Sequence, residues 1–183
     1  MNTKNNRKVR MTRKIFQETM LELLQTYHIT EISVKKLCEA ADMNRSTFYS
    51  NYQNQMDILR EIEEETYKEV ESFIMSGVNK EGKTDSALIF QKLLQYIKEN
   101  PQVFQVLLGQ NGSQDFQQKL MELTEHANYY IGYDPSLIKN EKVYYARIYR
   151  IAGCTRVIET WIQQGFDQTV EDLAKILVLL NAE

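Results

Sequence analysis

Neither glycine nor proline occurs in the first 76 residues of this 183-residue chain, since all seven glycines and both prolines lie at Gly77 or beyond. Any tight turn in that stretch must be made without the residue best suited to left-handed backbone, and nothing in it is a strong helix breaker. Cysteine is equally scarce. Cys38 and Cys154 lie far apart among apolar neighbours and form no CxxC pair, so neither a zinc site nor a disulfide framework is expected, and both read as small buried hydrophobes. The two histidines, His28 and His126, have no acid or cysteine at a recognisable catalytic spacing, and the chain lacks G-x-G-x-x-G, G-x-x-x-x-G-K-[ST] and G-x-S-x-G. No enzyme activity, cofactor or metal site is expected. The longest aliphatic run, Ile176–Leu180, is far short of the roughly 20 apolar residues of a membrane span. The basic start MNTKNNRKVRMTRK has no apolar stretch of the kind a secretory signal needs, so a cytoplasmic protein without membrane contact is expected.

What is present is unevenly spread. Residues 1–60 hold ten Lys/Arg against six Asp/Glu, while the remainder holds 12 against 19, so a net charge of −3 conceals a basic head on an acidic body. The first 14 residues carry six positive charges and no negative one. A basic head of this kind suits a polyanionic partner.

Apolar residues recur at helical spacing between the punctuating residues, and no stretch alternates with period two, so an all-α chain of nine helices is predicted. The first helix is expected from Thr12, a good N-cap, to about Tyr27. A short one follows Ser33, with Val34, Leu37, Cys38 and Ala41 on one face. A third covers Arg45–Ser50 behind the capping residue Asn44, and a long fourth runs from Asn54–Gln55 to Gly77. The stretches 77–84 and 131–140 read as loops. Between and after them, helices are predicted over about 86–99, from Pro101 to near Gly109, and over 113–130, 141–164 and 170–180.

The second and third helices flank a tight turn at Asp42-Met43. Met43 plugs the turn and Phe48 anchors the third helix from behind, with Leu37 and Ile32 also in the core. Arg45, Ser46, Thr47, Tyr49 and Ser50 are left pointing outward or along the helix start. That is the arrangement a helix-turn-helix needs, a short second helix offering its first residues to base edges in the major groove.

The stretch ISVKKLCEAADMNRSTFYSNYQNQMDIL, residues 32–59, resembles the TetR/AcrR signature. Ser33-Val34, Leu37-Cys38, Ala40-Ala41, Thr47-Phe48-Tyr49 and Tyr52 fill its places, and Thr12, Arg13 and Ile15 resemble the start of the family's first helix. Three positions depart from the pattern: Asp42 stands for the usual turn glycine, Asn51 for a histidine and Gln55 for a phosphate-gripping lysine. Asp tolerates left-handed backbone better than most residues, so the turn survives. The resemblance implies a three-helix helix-turn-helix head with its N-terminal arm (residues 1–53) and a helical-bundle effector-binding and dimerisation body (residues 54–183). It implies phosphate contacts from Thr47, Tyr49, Asn51 and the Gln55 position, and base contacts from Arg45, Ser46 and Ser50. Ser33 would cap the second helix against the DNA backbone with Lys35 or Lys36 nearby. The basic arm, Arg7 and Arg10 included, would make up the charge missing at Gln55.

For the body, the resemblance implies a homodimer built on the last two long helices. Ile148, Ile151, Thr155, Ile158 and Ile162, with Leu173, Ile176, Leu177 and Leu180, form a stripe broader than one internal core needs. Twofold symmetry then implies a near-palindromic operator in double-stranded DNA, with half-sites about 34–36 Å apart. Phe73, Phe90, Tyr96, Phe104, Tyr130, Tyr145 and Tyr149 are candidates for an aromatic pocket holding a small effector that releases a repressor from DNA. The pattern Tyr149-x-x-x-Gly153…Trp161-Ile162-x-x-Gly165 is similar to a C-terminal subgroup in which some members answer to a protein partner. An activator with a protein co-regulator is therefore the alternative, and a helical scaffold without DNA binding a remote one.

Overall fold

The computed structural model describes residues 3–77, 85–109, 112–130 and 141–181, with the side chains of 3–6, 121, 124–130, 141–144, 146–147 and 181 outside the description. The expected loop at 131–140 and all but Gly77 of the one at 77–84 lie outside these residues. Among the described residues there are nine α-helices and no strand: α1 (Thr3–Leu24), α2 (Val34–Ala40), α3 (Arg45–Tyr49), α4 (Gln55–Ser76), α5 (Ser86–Glu99), α6 (Pro101–Leu107), α7 (Gln114–Tyr130), α8 (Glu141–Gln163) and α9 (Val170–Asn181).

α1 departs from expectation by starting at Thr3 rather than Thr12. No breaker precedes Thr12, and the Lys, Arg and Met residues there are good helix formers, so an interior threonine does not interrupt the run. The anticipated arm is thus a helical extension about 14 Å long, exposed all round from Arg7 to Met11. Farther along, Phe16, Met20 and Leu24 line one buried face at steps of four residues. A 3₁₀ turn over Ile29–Glu31, not foreseen, follows α1. The exposed His28 ring accepts from the Thr30 N–H, and the Glu31 carboxylate accepts from the His28 N–H at 2.8 Å, which pins the buried Ile29.

The head core joins Phe16, Met20, Leu21 and Leu24 of α1 to Ile29, Ile32, Leu37, Cys38, Phe48 and Tyr52, with Met43 packed against it. Phe16 meets Phe48 edge-on at 5.5 Å and Tyr52 at 6.1 Å between ring centroids. Ile58, Leu59 and Ile62 complete this core from the first two turns of α4, and Val106, Leu107 and Phe116 extend it towards the body. Val70 and Ile74 of the same helix pack instead with Ile89 and Leu123. A single 22-residue helix, about 33 Å long, therefore belongs to the head at one end and the body at the other.

α5 lies against α9, and the body core gathers Leu94, Ile97, Phe104, Ile158, Trp161, Ile162, Leu173, Ala174 and Leu177. Two glycines shape the body. Gly77 ends α4 so close to α5 that a Cβ there would lie 2.2 Å from Ile89 Cγ1. Gly165, at φ 71, ends α8 in a Schellman motif: Phe166 N donates to Trp161 O at 2.9 Å and Gly165 N to Ile162 O at 3.1 Å, while the Trp161 and Phe166 rings meet edge-on. No helix among the described residues is long and apolar enough to cross a membrane.

Candidate nucleic-acid interface

The α2–α3 turn uses the same cap as α8 without a glycine. Ala41 ends α2, Asp42 takes φ 49, Met43 N donates to Cys38 O at 2.9 Å and Asp42 N to Glu39 O at 3.4 Å. Asp42 therefore occupies the left-handed position where Gly165 sits in the body, as its place in the motif predicted. Met43 folds over the core, and burial pushes the thiol of neighbouring Cys38 above its ordinary pKa, the state of a packed and unreactive sulfur.

Asn44 then caps α3. Its Oδ1 accepts the Thr47 N–H at 2.8 Å, the Thr47 hydroxyl at 2.9 Å and the Ser46 hydroxyl at 2.6 Å. One turn later the Ser50 hydroxyl donates to Ser46 O and the Asn51 amide donates to Thr47 O, each at 2.8 Å. Four of the predicted contact residues thus bond the helix that carries them. Ser46, Thr47 and Ser50 must redirect a hydroxyl to donate to DNA, and Asn51 works as a cap. Phe48 is fully buried beneath, while Tyr49 is 60% exposed and Arg45 is exposed beside it. Arg45 and Tyr49 are accordingly the long side chains that leave α3 outward, beside the exposed but internally bonded Ser46.

The flanks differ in sign. Ser33 Oγ caps α2 by accepting from Lys36 N at 3.1 Å, Lys35 reaches Glu39 at 3.8 Å, and the Lys36 ammonium sits over the Tyr27 ring. Gln55 opens α4 half-buried. Beside it the Asp57 carboxylate accepts from Gln53 N at 2.9 Å and Asn54 N at 3.1 Å, and pairs with Arg60 at 3.4 Å. An acid therefore already fills the N-terminus of α4, and the start of α4 is poorly made for a phosphate.

Behind α3, the Tyr52 hydroxyl donates to Glu61 Oε2 at 2.5 Å, and Arg13 of α1 pairs with Glu61 Oε1 at 2.5 Å. The other arm of Arg13 donates to Asn51 O at 3.2 Å. Burial, then the Glu61 hydrogen bond, pushes the Tyr52 phenol far above its ordinary pKa. Sequence reasoning missed Arg13 and Glu61 as a unit, and the residues are 48 positions apart with no local signal linking them.

Two further expectations are corrected by burial. Ile158, Ile162, Leu173 and Leu177, predicted for a dimer interface, are buried in the chain's own core, because they point towards the neighbouring helices of the same body, and Ile151 is buried as well. Ile148 and Thr155 are half-buried, and Ile176 and Leu180 are exposed. The outer face of these helices instead presents Tyr145, Tyr149, Ala152 and Arg156 on α8 and Ile176, Leu179 and Leu180 on α9, with Tyr149 80% and Leu180 61% exposed. Among the pocket candidates, Tyr145 and Tyr149 are therefore surface residues, Phe104 is buried core and Phe90 packs against the same core. The side chain of Tyr130 lies outside the described residues. Phe73 and Tyr96, with ring centroids 5.5 Å apart, border an open groove of about 740 Å³ between α4, α5 and the start of α9, together with Glu69, Lys92, Glu99 and Val170. No cluster of three or more His, Cys, Asp or Glu that could hold a metal exists among the described residues.

A helix-turn-helix head continuous with a helical body defines a class of transcriptional regulator. The chain belongs to the TetR-type transcriptional regulators: the family described as the transcriptional regulator C-terminal region matches residues 84–181, more than half its length. Two solved structures share the fold. A TetR transcriptional regulator from Streptococcus agalactiae 2603V is 20% identical with a TM-score of 0.66, over 97% of this chain and 98% of its own. The dihydroxyacetone kinase operon activator DhaS is 22% identical with a TM-score of 0.55, over 92% and 93%. No curated protein matches the chain.

The three bonds converging on Asn44 make a direct prediction. Asn44→Ala lowers stability by about 1–2 kcal/mol in urea unfolding, and Asn44→Asp keeps most of it. A loss below about 0.3 kcal/mol in the alanine variant contradicts the capping role.

Proposed function

We propose that the chain is a sequence-specific DNA-binding regulator, a homodimeric repressor that lays α3 in the major groove of a near-palindromic operator. One observation carries the reading: Arg45 and Tyr49 project from a short helix whose opposite side is locked by the buried Phe48. Arg45 suits a guanine edge through two parallel hydrogen bonds, and Tyr49 suits a phosphate oxygen. Arg7 and Arg10 stand on the helical extension of α1, whose first turn has no acid to balance the macrodipole, so a polyanion alongside relieves an unfavourable charge arrangement. Lys35 and Lys36 add backbone charge near the start of α2. Ser33, Ser46, Thr47, Ser50, Asn51 and Gln55 play lesser parts, for the reasons of bonding and burial above. The protein acts in the cytoplasm, where its DNA is.

Fluorescence anisotropy with an operator duplex identified by footprinting the protein on its own promoter tests this reading. Arg45→Ala weakens that duplex by about 1–3 kcal/mol and relaxes discrimination at one base position. Tyr49→Ala weakens all duplexes alike. A folded double variant that binds as tightly as the wild type overturns the reading.

The exposed apolar band Tyr149–Leu180 is the face proposed for the twofold partner, where α8 and α9 of two copies form a four-helix contact. Tyr149→Glu with Leu180→Glu converts the dimer to a folded monomer in light scattering after gel filtration, and a dimer of unchanged stability removes this face from the interface.

A small effector that binds better to a body conformation with splayed heads releases the operator by its differential affinity for the two states, and α4 is the lever because it is shared by head and body. The groove bordered by Phe73 and Tyr96 is the candidate place for it. The sign of regulation is separable from docking, since one protein of this fold is named an operon activator. Deleting the gene raises output from a reporter on its own promoter if it represses, and lowered output assigns activation under a co-regulator.

A further inference from the structure

We infer that Glu61 of α4 is a positioning residue that sets the orientation of α3, through Tyr52 and Arg13, and so ties operator recognition to the placement of α4. The inference rests on the reading of α3 as the DNA-contacting helix.

α3 has only five residues and cannot hold its own direction in space. Its back is fixed by Phe48 and its start is tied to α2 by the Asp42–Met43 turn, which leaves the far end to be held. The remaining point of attachment is its C-terminal end. There Tyr52 N donates to Phe48 O at 2.9 Å and the Asn51 side chain closes Thr47 O. Both of these residues are in turn held from outside α3. The Tyr52 hydroxyl donates to one oxygen of Glu61, and Arg13 pairs with the other oxygen while its second arm donates to Asn51 O. The Arg13 guanidinium also lies 5.1 Å from the centre of the Tyr52 ring.

Both oxygens of Glu61 are thus engaged, one by Arg13 of α1 and the other by Tyr52 just beyond α3, and its side chain is only 20% exposed. A carboxylate bonded on both sides has little rotational freedom, and charge-assisted bonds are short and strong. Turning α4 by a single residue, about 100°, would withdraw the carboxylate from both partners and leave Arg13 without its counter-charge, a costly outcome in a half-buried place. The two contacts thus fix the register of α4 against the end of α3. Glu61 touches no DNA in this arrangement, and its effect on recognition is exerted through the angle of Arg45 and Tyr49.

The test compares wild type with Glu61→Gln, which keeps shape and volume, and with Tyr52→Phe, which removes only the hydroxyl. Amide hydrogen exchange without DNA reads the clamp directly. Exchange of residues 48–52 is expected to accelerate at least tenfold in either variant while the amides of α2 are unchanged. Affinity for the footprinted operator duplex is expected to fall at least tenfold, affinity for a scrambled duplex of equal length to stay the same, and the double variant to lose little more than either single one. A role in stability alone would reduce both duplexes together through the folded fraction. Unchanged exchange at 48–52 overturns the inference, and so does faster exchange with wild-type discrimination between the two duplexes. If the wild type binds no duplex, the DNA reading falls on that result alone, and the exchange data still decide whether Glu61 holds α3.

Discussion

The buried ring of Phe48 is the contact on which the rest depends. A five-residue helix has almost no stability of its own, and its polar outer side gives it no reason to fold against anything. Phe48 supplies that reason by filling the space between Phe16 of α1 and Tyr52, in a core closed by Leu37, Ile58 and Ile62. Everything α3 offers to the outside is then determined by subtraction. Once Phe48 is inside and Asn44 and Asn51 are occupied at the two ends, Arg45 and Tyr49 are what remains directed outward.

The same logic runs from the head into the body. α4 contributes Ile58, Leu59 and Ile62 to the head core and Val70 and Ile74 to the body, so the two halves share a rigid element rather than a linker. A boundary drawn at residue 53 would cut across the head's packing, because Ile58, Leu59 and Ile62 lie beyond it. The Asp42 and Gly165 turns show how one local solution serves both halves. Each places a left-handed residue after a helix and folds an apolar residue back over it, Asp42 in the head and Gly165 in the body.

Much of this was legible in the residue order. Ser33, Asn44 and Asn54 announce the starts of α2, α3 and α4 because their side chains bond the first free N–H groups, and Pro101 opens α6 for the complementary reason that it has none to satisfy. The motif around Phe48 is likewise local, with each residue's role set by its neighbours within a turn or two. The start of α1 was not legible, because Thr12 suits a helix interior as well as a cap once nothing upstream breaks the helix. The 3₁₀ turn at Ile29–Glu31 escaped because its cap is a histidine, an unusual choice. The α8 and α9 stripe was read as interface when most of it is core: apolar spacing says that a face is buried, but which neighbour buries it depends on where α5 and α6 lie. The Arg13–Glu61–Tyr52 contact was out of reach for the same reason, being created by the crossing of α1 over α4.

The central claim is that α3 enters a major groove twice, once from each half of a twofold dimer. Methylation interference at guanine N7 reads that groove alone, because the N7 atom faces it. On the duplex upstream of the gene, the account predicts two patches of blocked guanines with centres about 10–10.5 base pairs, one helical turn, or a whole multiple of that apart. Strong binding insensitive to N7 methylation, or interference confined to adenine N3 in the minor groove, would contradict it.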